Sequence, residues 1–370
     1  MKVGFLFNHY LSYQVIHGAP VAFELSRLKP EIKVDLLFSS ESTLKEAHRI
    51  AAVYPEHNCS FSLLPGSRIL ATRFPSLHRP LVLWRNRKLL TSYDALVAPE
   101  KNFISLKLLP AFKKIKFIGL RHGAGDRPVS FNKGRLKFDY VLVPGQSYYD
   151  RFSSELAEGC CRIIGYPKFE ALEKLKPSTS RFFENDKPVV LYTPHFHPRQ
   201  SSWLKMGKDV LEFFAKSSKY NLIFAPHIRL FKHKRYHGSI NIDSFRNCTN
   251  ILIDTGSVLS TDMTYTRSTD IYLGDVSSQV YEFLYYRQRP CIFLNPNELE
   301  ETNLKFWKTG DVIKNSLGLK EALNRTETVP DEALLQLQKQ FVDEAFDRND
   351  KPSSVRGAES IIHFIQMDKR

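Results

Sequence analysis

The feature that most constrains what this chain can fold into is a sustained alternation of short, predominantly apolar runs with helix-length segments. Residues 3–7, 34–38, 95–98, 115–120, 140–143 and 162–164 are such runs, and 17–28 reads as the helix after the first. The runs are too uniformly apolar for half-exposed antiparallel strands and suit parallel strands covered on both faces. Alternation of this kind implies βαβ units with right-handed crossovers. A second series follows, with strands at 189–192, 222–225, 251–253, 271–273 and 291–294 and helices at 204–216, 278–287, 319–323, 331–346 and 355–366. Between the series, residues 165–188 carry Gly165, Pro167, Pro177, Ser178, Ser180 and Asn185-Asp186-Lys187-Pro188, the composition of a junction. At 370 residues the chain also exceeds what one hydrophobic core usually supports. The expected architecture is α/β, with two Rossmann-like domains whose parallel sheets face a central cleft. The first domain spans 1–165 and the second 188–345, and a C-terminal helix over 346–370 packs back toward the first.

Charge and cysteines narrow the function classes. The net charge is +14, from 53 Lys plus Arg against 39 Asp plus Glu, which favours polyanionic partners; a well-solvated basic surface is the plainer alternative. Neither a helix-turn-helix nor an RNA-binding signature is present, so nucleic acid is not expected as a partner. Five cysteines without a C-x-x-C pair suggest neither a zinc site nor a disulfide framework, and a reducing cytoplasm fits them best. Residues 1–7 enter a strand directly and do not read as a signal peptide. No run approaches the roughly 18 apolar residues of a membrane span, so the expected location is cytoplasmic. The basic cluster Arg79, Arg85, Arg87 and Lys88, interleaved with Leu81, Leu83 and Trp84, would let the protein rest on the inner face of an anionic membrane. A solvated amphipathic helix explains the same cluster equally well.

In doubly wound folds ligands bind beyond the carboxyl ends of the strands, so the strand-to-helix turns carry the candidate chemistry. Gly274-Asp275-Val276-Ser277-Ser278 ends one strand and opens a helix with Glu282 inside it. Free N–H groups at a helix start attract phosphate, Ser277 and Ser278 add hydroxyl donors, and Glu282 can accept from ribose hydroxyls. Ordinary capping by Ser277 and Glu282 is the alternative. Arg121-His122-Gly123-Ala124-Gly125 follows a first-half strand, and a histidine there can act as general base. Thr193-Pro194-His195-Phe196-His197-Pro198-Arg199 and Pro226-His227-Ile228-Arg229 each deliver His with Arg to a strand end, as a pyrophosphate site requires. His195 and His197 are not expected to hold a metal, because no Asp, Glu or Cys ligand lies nearby in sequence. His9 and His17 sit in or just after the first strand-to-helix loop, where they can meet an acceptor or simply pack.

With these residues in view, the chain resembles the CDP-glycerol glycerophosphotransferase family, the teichoic-acid primases and polymerases of GT-B fold. Roughly residues 90–295 carry the resemblance, through Arg121-His122-Gly123, Gly165-Tyr166-Pro167-Lys168, Leu191-Tyr192-Thr193-Pro194, Pro226-His227 and Gly274-Asp275-Val276-Ser277-Ser278. It implies His122 as base or acceptor-site residue, His227 on the donor pyrophosphate, and Asp275, Ser277 and Ser278 around phosphate. Thr193, His195, His197, Arg199 and Glu282 complete the expected donor site, with His9, His17 and Arg121 on the acceptor side. The family often shows Pro-Thr-(Phe/Tyr)-Arg where this chain has Pro194-His195-Phe196-His197-Pro198-Arg199, and often Ser/Thr-Asp-Tyr-Ser-Ser where it has Gly274-Asp275-Val276-Ser277-Ser278. The expected function is transfer of a polyol phosphate from a cytidine-activated donor to a hydroxyl of a glycan or lipid-linked acceptor, without cofactor or metal. A glycosyltransferase using a nucleotide sugar, a UDP-sugar or CMP-Kdo, is the alternative.

Overall fold

A computed structural model describes residues 1–9, 11–66, 73–121, 123, 137–176, 181–232, 234–300, 305–328 and 331–367. They divide into two compact units: one holds the described residues up to 176 and those from Asp343 onward, the other those of 181–342.

The first unit is built on a seven-stranded sheet of β1 (Lys2–Phe7), β2 (Lys33–Phe38), β3 (Ser60–Leu63), β4 (Ala95–Ala98), β5 (Lys116–Leu120), β6 (Tyr140–Val143) and β7 (Cys161–Ile163). Its order is β3-β2-β1-β4-β5-β6-β7, and every neighbouring pair is parallel. Burial on both faces explains the uniform apolarity of the central strands: Val3, Phe5 and Leu6 are at most 1% exposed, as are Leu96, Phe117 and Leu142. The expected helix over 17–28 starts instead at Ala19, after a 3-10 turn over Ser12–His17, and places Pro20 in its first turn, where a missing N–H costs nothing. The helix Ser353–Met367 packs against Ala19–Leu28. Within the stretch read as a junction, Pro167–Leu175 is a helix of this unit. Proline at its N1 position, taken from sequence as a breaker, is what starts it.

The second unit carries β8 (Val189–Thr193), β9 (Asn221–Phe224), β10 (Ile251–Ile253), β11 (Ile271–Gly274), β12 (Cys291–Leu294) and β13 (Asp311–Ile313), in the order β10-β9-β8-β11-β12-β13, again all parallel. Counted from its own first strand the order is 3-2-1-4-5-6, the doubly wound order that the first sheet also follows. Its core gathers Trp203, Phe214, Phe224, Leu273 and Ile292, each fully buried. In both sheets the strand order reverses beside the first strand, so the crevices for ligands open at the ends of β1 and β4 and of β8 and β11.

The surface helix Pro75–Arg85 differs from its sequence reading. Arg79 is half-buried, pairing with Glu100 at 3.2 Å and donating to the Asn8 carbonyl at 2.9 Å, and Leu83 is buried. The exposed apolar side chains are Phe74, Leu77 and Trp84, with Arg73, Arg85 and Lys88 exposed beside them. No helix among the described residues is long and apolar enough to cross a membrane.

Candidate functional site

In the second unit the site grows from the reversal of strand order. Thr193 ends β8 and Gly274 ends β11, and the two are register partners. Thr193 is buried and donates its hydroxyl to the Tyr272 hydroxyl at 3.1 Å, so it faces the core and not a ligand. Asp275 is wholly buried as well, which changes the role expected for it. One carboxylate oxygen accepts the His195 N–H at 2.7 Å and the Ser202 N–H at 2.9 Å. A side chain enclosed in this way cannot touch phosphate. It pins the loop after β8 instead. Burial pushes its pKa up to about 7, against the lowering effect of Ser202 and of the His195 N–H.

The pinned loop presents an imidazole. His195 is 5% exposed and its Nδ1 accepts the His197 N–H at 3.1 Å. At the end of the neighbouring β9, His227 accepts the Arg229 N–H on Nδ1 at 3.1 Å, and its backbone N–H donates to the Pro194 carbonyl at 3.0 Å. In each neutral ring this geometry leaves the proton on Nε2, a donor suited to an anionic oxygen. The two ring centroids lie 5.4 Å apart, and Phe196 packs 4.6 Å from each. Arg229 rests over Phe196 at 5.4 Å. The histidines of two separate sequence motifs thus form one cluster. His197 and Arg199 are exposed on the same loop.

The turn after β11 is less like a phosphate cradle than its sequence suggests. The helix beyond it runs only over Gln279–Leu284, six residues, too short for a strong end dipole. Ser277 is half-buried and accepts the Gln279 N–H at 3.2 Å, a capping contact. Ser278 is half-buried and makes no side-chain cap bond, and Glu282 is half-buried in the first turn.

In the first unit, His9 is buried, its Nδ1 accepting the Leu11 N–H at 2.9 Å, a packing role within the loop after β1. His17 is also buried, 5.1 Å from the Tyr166 ring. Tyr166 accepts the Gly123 N–H on its hydroxyl at 2.9 Å, so the Arg121 and Gly165 motifs meet there. Gly123 takes φ +74°, a conformation that any residue with a Cβ enters with strain. Arg121 is 7% exposed with its guanidinium 5.1 Å over the Tyr148 ring. His122 lies outside the described residues. Tyr166 and Tyr148 had no role in the sequence reading. Only the Gly-Tyr-Pro-Lys motif pointed to the first, and nothing in the spacing marked the second.

No family model matches the chain, and no curated protein matches it in sequence. Solved structures do match, over its full length. UDP-GlcNAc 2-epimerase from Neisseria meningitidis, solved with UDP-GlcNAc bound, aligns with TM-score 0.63 at 16% identity, covering 100% of each chain. The wall teichoic acid polymerase TagF, soaked with CDPG, aligns with TM-score 0.61 at 13% identity, covering 100% of this chain and 90% of that one. CalG4, the calicheamicin glycosyltransferase, aligns with TM-score 0.59 at 12% identity, covering 100% and 99%. The fold is of GT-B type. At such identities the likeness speaks for the fold alone. No group of three or more His, Cys, Asp or Glu side chains among the described residues is placed to hold a metal ion.

Proposed function

We propose that this protein is a nucleotide-donor transferase that moves a polyol phosphate of the glycerol-phosphate type from a CDP-activated donor to a hydroxyl of a glycan or lipid-linked acceptor. One observation carries the reading: His195 and His227 are held side by side at the ends of β8 and β9, each with Nδ1 engaged by a backbone N–H. Two Nε2 donors, with Arg199 and Arg229 on the same loops, suit a pyrophosphate. Ser278 and the O–H of Ser277 would donate to the same phosphates, with Glu282 near the ribose. Asp275 and Thr193 act behind the site by holding its loops.

In the reaction the acceptor oxygen attacks the β-phosphorus. A new P–O bond to the acceptor forms as the bond to the α-phosphate oxygen breaks, and CMP leaves. His122 takes the acceptor proton, with His17 and Arg121 on the acceptor side. The donor site stabilises charge gathering on the leaving phosphate. Phe74, Leu77 and Trp84, with Arg73, Arg85 and Lys88, form the surface by which the protein would rest on an anionic membrane carrying a lipid-linked acceptor.

A second reading is a glycosyltransferase using a nucleotide sugar, with attack at the anomeric carbon. It draws on the UDP-sugar epimerase and the glycosyltransferase that share the fold. Incubation with CDP-glycerol, CDP-ribitol, UDP-GlcNAc or CMP-Kdo and a lipid-linked glycan separates the two. Acceptor-dependent CMP release from a CDP-polyol supports the first reading and consumption of a nucleotide sugar the second. Turnover of none of these donors overturns both.

A further inference from the structure

At the carboxyl edge of the first unit's sheet, Arg121 presents an electrostatic problem. It follows the central strand β5 directly and is more than nine-tenths buried. Its backbone N–H donates to the Leu142 carbonyl at 2.9 Å, but its guanidinium makes neither an ion pair nor a hydrogen bond among the described residues, and its Nε is buried without a partner. The carboxylate at the end of the neighbouring β4, Glu100, is engaged by Arg79 at 3.2 Å. Among the described residues, only the face of Tyr148 compensates the cation. A cation–π contact offsets a small part of what removing a guanidinium from water costs. Buried charges are otherwise paired, so a missing anion is the simplest completion.

Two further buried polar atoms along the same edge lack partners, and both are acceptors. Asn8 Oδ1, beyond β1, has none, although Asn8 Nδ2 donates to the Arg79 carbonyl at 3.1 Å. Gln14 Oε1, in the turn after β1, has none either. Carbonyl acceptors on the same sheet edge as an unpaired guanidinium, one strand removed across β4, suit a ligand that carries hydroxyls as well as an anion. A guanidinium fork matches the oxygens of a phosphate.

We propose that Arg121 anchors a phosphate-binding subsite in the first unit, and that its ligand is a phosphorylated polyol or sugar whose hydroxyls reach Asn8 and Gln14. That this ligand is the acceptor rests on the transferase reading; the subsite itself does not.

The test is calorimetric titration of the full chain with inorganic phosphate, glycerol 3-phosphate and glycerol, with and without saturating CMP. Wild type, Arg121→Met and Arg121→Lys are compared. Phosphate and glycerol 3-phosphate should bind wild type in the presence of CMP, with glycerol 3-phosphate the tighter and glycerol not detected. Arg121→Met should weaken phosphate about tenfold or more, the loss expected of a charge-assisted contact, and Arg121→Lys by less. Without ligand, Arg121→Met should melt at the wild-type temperature or above, because an uncompensated buried charge has been removed. Phosphate affinity in folded Arg121→Met within twofold of wild type overturns the proposal. So does a fall in melting temperature in both variants, which would make Arg121 a packing residue. CMP binding is read in the same experiment: its absence counts against the transferase reading and leaves the phosphate comparison intact. Short-chain phosphatidic acid in place of glycerol 3-phosphate shows whether the phosphate arrives on a lipid or on a free ester.

Discussion

Single side chains divide between those that hold the site and those placed to meet ligands, and the division can be measured. Asp275 belongs to the first kind. An aspartate titrates near 4 in an unfolded chain, whereas burial holds this one at about 7. Between those values the folded protein keeps a proton that the unfolded chain has lost, so stability falls as pH rises from about 4 to about 7 and levels off above. Asp275→Asn stays neutral and can still accept the His195 and Ser202 N–H groups. It should therefore remove about 2.5 kcal/mol of decline between pH 5 and pH 7.5, read from urea unfolding at those two values. An unchanged slope in the variant would show that Asp275 is ionised throughout. His122 belongs to the second kind in the proposed mechanism. His122→Ala should lower kcat by roughly a hundredfold to ten-thousandfold while leaving CMP affinity in place, the pattern of a lost general base. Near-normal turnover would move the role to His17, since the Nδ1 of His9 is occupied by a local backbone N–H.

Among the elements, the central strands were legible because burial on both faces leaves a nearly continuous apolar run, as in Leu222-Ile223-Phe224 or Ile292-Phe293-Leu294. The edge strands β3 and β13 escaped for the opposite reason. Ser60-Phe61-Ser62-Leu63 is mostly exposed and alternates, and Asp311-Val312-Ile313 is three residues long. Local signals also misled where tertiary contacts decide: Pro167 starts a helix that sequence placed in a linker, and Thr193 turns its hydroxyl to Tyr272. Sequence put His195 and His227 in one expected donor site, and their ring-to-ring contact follows from β8 and β9 being parallel neighbours. Helix Pro75–Arg85 supports a separate prediction. Residues 73–90 contain no acidic side chain, and Leu77 and Trp84 are each 59% exposed. Arg85→Ala with Lys88→Ala should cut binding to phosphatidylserine vesicles by roughly twenty-fivefold, at about 1 kcal/mol per charge near the surface, and Leu77→Ser with Trp84→Ser should weaken it as well. Neither pair should change the melting temperature. Equal sedimentation of wild type and both variants with such vesicles would dismiss this surface as a membrane contact.

On the scale of the whole molecule, two sheets of the same winding order carry different chemistry at their carboxyl edges. One presents paired imidazoles with arginines, the other a buried guanidinium with orphaned carbonyl oxygens. The net charge of +14 favours the approach of anionic ligands to both. The central claim is that the second unit binds a nucleotide donor through His195 and His227. Thermal unfolding of wild type and His227→Ala with CMP, CDP, CDP-glycerol, UDP and UDP-GlcNAc tests it most directly. A nucleotide present at 100 times its Kd should stabilise wild type by about 2.7 kcal/mol, a shift of several degrees. Losing a charge-assisted contact should weaken binding at least about tenfold, so His227→Ala at the same concentration should show about half that stabilisation or less. A cytidine- or uridine-specific shift should appear in wild type and shrink in His227→Ala; no shift with any of these nucleotides at millimolar concentration, or the same shift in both proteins, would contradict a donor site at His195 and His227.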